Sequence, residues 1–175
     1  MLENQTIKKT AEIIIDSFQK GGKLLIAGNG GSAADAQHFA GELLGKFKRE
    51  RKALPAIALN VNASVLTAIA NDYCFDRVFS RQIEGLAKKE DIFFGISTSG
   101  NSSNIIEALR AAQKIGCQTI GLTGKDGGRM KELCDFLIRA DSQDTPQIQE
   151  FHIAVIHSLC ELIEKSLENE NEKEF

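Results

Sequence analysis

Five short apolar runs punctuate the chain: KLLIAG (residues 23–28), PAIAL (55–59), DIFFGIS (91–97), CQTIGLTG (117–124) and DFLIRA (135–140). Each is short and bounded by turn residues, as strands covered on both faces are. Segments with helical periodicity separate them. Strands that alternate with helices pair in parallel, so the pattern predicts a three-layer α/β/α sandwich around a five-stranded parallel sheet. Helices are expected over Ser32 to about Phe47, through VLTAIA and VFSRQIEGLA, over NIIEALRAAQKIG ending at Gly116, and briefly over DGGRMKELC. Long helices stand at both ends. Residues 1–20 place Ile7, Ala11, Ile14 and Phe18 on one face and stop at Gly21-Gly22. A second long helix spans about Pro146 to Leu167, before the polar stretch ENENEKEF. No internal repeat or linker interrupts the pattern, so residues 1–175 read as one domain with a polar tail from about residue 168.

Several function classes are disfavoured. A net charge of −3 with no polybasic run argues against nucleic acid or a membrane surface as the main partner. No apolar run approaches the length of a membrane span, and the N-terminus lacks the pattern of a signal peptide, so a cytoplasmic location is expected. The cysteines at 74, 117, 134 and 160 show no C-x-x-C spacing, and all but Cys74 adjoin apolar positions. Reduced, buried thiols are expected rather than zinc ligands or disulfides.

Ligands of such sheets bind beyond the carboxyl ends of the strands, which directs attention to the loops after the first and third runs. The first, Gly28-Asn29-Gly30-Gly31-Ser32-Ala33, satisfies G-x-G-x-x-[GA]. That match alone is weak. A dinucleotide site also needs an acid at the end of the second strand, and Ala58-Leu59-Asn60 has none. Asn29, Ser32 and the free amides of a helix start instead suit the hydroxyls or phosphate of a compact ligand. The second loop has four serines and a threonine between Ser97 and Ser103, directly before a helix. Routine N-capping would use one or two of them, so the whole run points to a phosphate monoester. It has no Walker lysine, which disfavours a nucleoside triphosphate.

The chain has three histidines, at 38, 152 and 157. His38 and Glu42 are one helical turn apart and can share a divalent metal, although spacing alone equally fits a local hydrogen bond. In the last helix Gln149 and His157 lie roughly 12 Å apart along the axis and differ in direction by roughly 80°. One metal takes both only if both side chains reach inward or if subunits share the site. Periodicity does not choose between His152 and His157.

Taken in order, GNGGSAADAQHFAGEL, AIAND, GISTSGNSSNIIEAL, LTGKDGG and IQEFHIAVIH closely resemble the bacterial sedoheptulose 7-phosphate isomerases (phosphoheptose isomerases) of the sugar isomerase, or SIS, superfamily. The resemblance spans about residues 7 to 168. It implies the SIS fold and an aldose–ketose isomerase converting sedoheptulose 7-phosphate to D-glycero-D-manno-heptose 7-phosphate through an enediol. That reaction opens the synthesis of nucleotide-activated heptose for lipopolysaccharide core or capsule. It further implies a homotetramer and one zinc per subunit. By the same resemblance Asn29, Gly30, Gly31, Asn71 and Asp72 contact the sugar phosphate, and Ser97, Thr98, Ser99 and Ser102 cradle its phosphate. His38, Glu42, Gln149 and His157 match the zinc-holding positions, with Gln149 also a substrate contact. Glu42 and His157 match the acid/base pair, which leaves His152 structural. Lys46 stands where many relatives have arginine, and Asp144 has no assigned role. The alternative is a non-enzymatic SIS module like the DnaA initiator-associating protein, which lacks the counterparts of Glu42 and His157. Other SIS isomerases, such as arabinose 5-phosphate isomerase, carry extra domains or a repeated SIS unit.

Overall fold

The protein is described here by a computed structural model covering residues 5–171, with side chains to residue 167. The start of the N-terminal helix expectation and the end of the tail, residues 172–175, lie outside the described residues. The element order is α1 (Gln5–Gln19), β1 (Leu24–Gly28), α2 (Gly31–Leu44), β2 (Ala56–Ala58), α3 (Ala63–Asp72), α4 (Ser80–Leu86), β3 (Ile92–Ser97), α5 (Ser103–Ile115), β4 (Gln118–Thr123), β5 (Phe136–Arg139) and α6 (Thr145–Asn171). All five apolar runs are strands, and the sheet is parallel throughout, in the order β2-β1-β3-β4-β5.

Alternate strand side chains feed two cores, which makes the three layers. Leu24, Ile26, Ile92, Phe94, Ile120 and Leu122 face a core shared with α1, α2 and α6. Leu25, Ala27 and Phe93 face the other way, toward Val78, Phe79, Ile83 and the apolar side of α5. Fully burying such a side chain is worth about 1.5–3 kcal/mol, which explains why these strands contain no exposed residue in β1 and β3. The chain reverses its direction across the sheet between β1 and β3, so the loops after these strands open on one crevice.

Three boundaries differ from the sequence reading. Helix α2 ends at Leu44 rather than near Phe47, because Gly45 and the guanidinium of Arg51 take up its last carbonyls. The DGGRMKELC segment holds only a 3-10 turn over Gly128–Glu132, since Gly127 and Gly128 both have positive φ and break an α-helix. The last helix runs on to Asn171, into the stretch expected as tail. No helix among the described residues is long and apolar enough to cross a membrane. The cysteines are free, with Cys117 and Cys160 buried, Cys134 half-buried and Cys74 exposed. Burial pushes the Cys117 thiol to about 11 and that of Cys134 to about 12, so neither is a ready nucleophile.

Candidate active site

Helix α2 starts at Gly31 with Gly30 in its cap position at φ 56, and no side chain caps it. Helix α5 starts after Ser102, whose hydroxyl makes no cap hydrogen bond either. Two helix N-termini thus face the crevice with first-turn amides that no side chain satisfies, a ready anion site. As the sequence reading holds, these serines are not spent on routine capping. Ser97 Oγ lies 2.9 Å from Ser102 Oγ and 3.5 Å from Ser99 Oγ, and the Asn101 amide donates to Ser99 Oγ at 3.1 Å. Three hydroxyls therefore converge at the second loop. Thr98 and Ser99 also line a cavity of about 300 Å³ with Asn101, Lys125 and Gln143.

A reciprocal amide pair joins the two loops. Asn29 Nδ2 donates to Asn104 Oδ1, and Asn104 Nδ2 donates back to Asn29 Oδ1, both at 2.9 Å. Asn104 is buried, so this pair fixes the spacing between the loop after β1 and the loop after β3. The sequence reading did not single out Asn104. Its partner is 75 positions away, and no local pattern marks such a pair.

Helices α2 and α6 lie side by side and meet at two points. At the loop end Gln149 packs on Gly31 so closely that a Cβ there would stand 2.2 Å from Gln149 Nε2. Further along, His38 Nε2 lies 3.0 Å from His157 Nε2 and 3.1 Å from Glu42 Oε1. The distance from Gly31 to His38 along α2, about 10.5 Å, nearly equals that from Gln149 to His157 along α6, about 12 Å. His38, Glu42 and His157 each offer a ligand atom, and these lie within 4.8 Å of one another. One chain brings all three together. Two imidazoles and a carboxylate so placed can hold a metal ion. The Phe47 ring stacks on His157, with centroids 5.3 Å apart and planes 30° apart. Burial holds the carboxyl of Asp35, one turn before His38, above its usual range, with the His38 charge opposing.

His152 is separated from this group. It is fully buried, and neither ring nitrogen meets a well-aligned hydrogen-bond partner. Burial pushes its pKa down to about 4, against a slight opposing effect of the Thr123 backbone. Asn71 and Asp72 end α3, exposed and hydrogen-bonded to each other at 2.9 Å, with no hydrogen bond to either loop among the described residues. Lys46 is exposed and pairs with Glu50. Asp144 precedes α6 and caps it, its carboxylate accepting from the Gln147 amide at 3.4 Å and its carbonyl from Ile148.

Comparison with known proteins identifies the family. The SIS domain family model matches residues 2–124. The phosphoheptose isomerase of Helicobacter hepaticus is 60% identical over 158 residues, covering 90% of this chain and 81% of that protein. That of Aliarcobacter butzleri is 55% identical over 163 residues, covering 93% and 86%. The structure of phosphoheptose isomerase from Neisseria gonorrhoeae superposes with a TM-score of 0.87 at 44% identity, over 92% of this chain and 86% of that one. With its fold, its paired loops and its His–Glu–His cluster in place, the chain belongs to the SIS domain family and, within it, to the phosphoheptose isomerases.

Proposed function

We propose that this chain is an aldose–ketose isomerase that interconverts sedoheptulose 7-phosphate and D-glycero-D-manno-heptose 7-phosphate, supplying nucleotide-activated heptose synthesis for lipopolysaccharide core or capsule. The convergence of His38, Glu42 and His157 in one chain carries the reading, together with the uncapped N-terminus of the helix that bears His38 and Glu42. Moving a carbonyl from C2 to C1 requires a base that takes the C1 proton and returns it at C2, and a partner that handles the oxygen-bound protons. Glu42 is the proposed base and His157 its acid/base partner. Only Oε1 of Glu42 is engaged, by His38, and among the described residues no hydrogen bond occupies Oε2. One oxygen can thus serve the cluster while the other faces the substrate. The Ser97, Thr98, Ser99 and Ser102 loop is the proposed phosphate cradle. Asn29, Gly30, Gly31, Asn71, Asp72 and Gln149 are the proposed sugar contacts. The Glu42 and His157 pair favours catalysis over a binding module of the DnaA initiator-associating type.

Zinc is the proposed metal, held by His38, Glu42, Gln149 and His157. Ligands about 2.0–2.1 Å from a tetrahedral zinc stand roughly 3.3 Å from each other. The observed separations of 3.0 and 3.1 Å fit the His38, Glu42 and His157 part of that set, while Gln149 packs on Gly31 at the loop end. When bound, the metal supplies positive charge for the sugar oxygens. We further propose that the chain acts as a single SIS domain in a cytoplasmic homotetramer. In support, α3 has no buried residue and the neighbouring Val61, Tyr73 and Phe75 are all more than half exposed, an apolar surface that suits a partner.

The test is turnover of sedoheptulose 7-phosphate followed by NMR, with and without chelator and with zinc restored. Run in D2O, the isomerase leaves deuterium at C2 of the aldose. Turnover that is lost on chelation and returns with zinc supports both proposals. Turnover indifferent to the chelator keeps the isomerase and removes the zinc. Saturable binding without turnover overturns the enzyme reading.

A further inference from the structure

We propose that Phe47 orients the His157 imidazole, and that the buried Glu164–Arg51 pair holds Phe47 in place to do so. The inference rests on the metal-site reading above for its consequence, though not for its geometry. A metal-binding histidine usually has its ring fixed by a hydrogen bond from the other nitrogen to a carboxylate, carbonyl or water. Among the described residues no hydrogen bond reaches Nδ1 of His157; its contacts are Nε2 with His38 and the stacked face of Phe47. Of the protein groups, the stacked face of Phe47 therefore sets the tilt of the imidazole. It also covers one face of the cluster, which lowers the local dielectric around the ligands.

Phe47 packs at the edge of the core from an irregular segment, after α2 has ended, so its backbone must be held from elsewhere. Glu164 does this. Its side chain is 1% exposed and it sits two turns beyond His157 on α6. Its oxygens accept from three successive backbone amides, Phe47 at 3.0 Å, Lys48 at 2.9 Å and Arg49 at 3.1 Å. Arg51 Nε lies 3.3 Å from Glu164 Oε1, an ion pair rather than an aligned hydrogen bond. The same guanidinium donates to the carbonyls of Glu42 (2.7 Å), Leu43 (2.8 Å), Gly45 (2.9 Å) and Lys52 (3.1 Å). A single buried pair thus ties the backbone of Glu42 and that of Phe47 to the helix carrying His157. Burying such a pair is costly unless its hydrogen bonds are nearly complete, and a hydrophobic pair would pin the helix ends as well. What the charged pair adds is direction: three amides and four carbonyls admit one path for residues 45–52.

The experiment compares wild type with Phe47→Leu, Phe47→Tyr and Glu164→Gln. In metal-free protein, spectra of labelled histidine rings report the stacking directly. Phe47→Leu is expected to move the His157 ring protons downfield. Glu164→Gln, which keeps the phenyl ring, is expected to move them the same way. Zinc affinity, measured by competition with a chromophoric chelator, is expected to fall about 10–100-fold in both, and to stay within about twofold in Phe47→Tyr. Phe79→Leu, a core change on the other face of the sheet, should lower the unfolding midpoint and move neither readout. If Glu164→Gln fails to fold, Arg51→Lys replaces it, keeping the charge and losing the fork. Wild-type His157 resonances in Glu164→Gln, or unchanged zinc affinity in Phe47→Leu, overturn the proposal. If the wild type itself binds no zinc, the metal reading fails alone and the metal-free spectra still decide the positioning.

Discussion

Gly31→Ala separates function from stability more cleanly than any change to a polar site residue. Gly31 opens α2 with an ordinary negative φ, so alanine fits its backbone. The nearest obstacle is the Gln149 side chain, whose Nε2, Cδ and Oε1 would stand 2.2, 2.9 and 3.1 Å from the new methyl. To reach ordinary contact at about 3.4 Å, the amide must retreat by roughly 1.2 Å. Gly→Ala at a compatible position stabilises by about 0.4–1 kcal/mol through the unfolded chain. Forcing Gln149 off its rotamer costs about 0.5–1.5 kcal/mol. The two nearly cancel, so the unfolding free energy should stay within about 1 kcal/mol of wild type. Activity should not. A misplacement near 1 Å in a positioned site costs on the order of 10²-fold in kcat/KM. The assays are urea unfolding and turnover of sedoheptulose 7-phosphate, each repeated in a Gln149→Ala background. Because the loss passes through Gln149, Gly31→Ala should cost nothing further once that side chain is gone. Wild-type activity in Gly31→Ala, or losses that add in the double variant, would refute the reasoning.

Asn104→Asp keeps the acceptor for Asn29 but cannot donate to Asn29 Oδ1, and it adds a negative charge beside the proposed phosphate cradle; a loss of about 1–3 kcal/mol in stability and a raised KM are expected, and an unchanged KM counts against the amide pair as a spacer. His152, with its folded pKa near 4 against 6.5, contributes stability that is complete above about pH 6.5 and declines as pH falls toward 4, by up to about 3 kcal/mol. Urea unfolding between pH 7 and 4.5 should therefore show a shallower loss in His152→Leu than in wild type, and parallel curves would exclude this residue as a source. Zinc at 100 times its Kd should stabilise the protein by about 2.7 kcal/mol, an effect that chelation and His38→Ala both abolish in thermal melts. Melts that ignore both would remove the metal.

The fold was legible because its strands are buried on both faces and so appear as uninterrupted apolar runs; DIFFGIS contains no exposed residue. Phe47 misled the reading of α2, since an apolar residue at helical spacing looks like a helical core position, and here it packs at the core's edge from an irregular segment and stacks on His157. The loops were legible because glycine and hydroxyl clusters before helices have few other uses. Which histidine faces the site was not. Helix α6 is apolar on several sides, and only its placement between β4 and α2 turns His152 inward and His157 toward His38. The resemblance supplied that choice; periodicity did not. Asn104, Arg51 and Glu164 escaped for a related reason. Asn29 for Asn104, and the 47–49 backbone for Glu164, are partners that only tertiary structure brings near, while Arg51 is one of several cations in KFKRERK and nothing local marks it as the buried one.

The separation of 119 positions between His38 and His157 has a consequence in time. During synthesis at about 5–20 residues per second, His38 leaves the ribosome roughly 6–24 s before His157. Throughout that interval the nascent chain holds one imidazole and one carboxylate of the cluster, too few to retain a metal firmly. The apolar face of α2 also waits for α6 to cover it. Capture of the proposed ion would therefore mark the end of folding rather than its beginning, and a chain that stalls before its last helix would be recognisable by what it fails to bind.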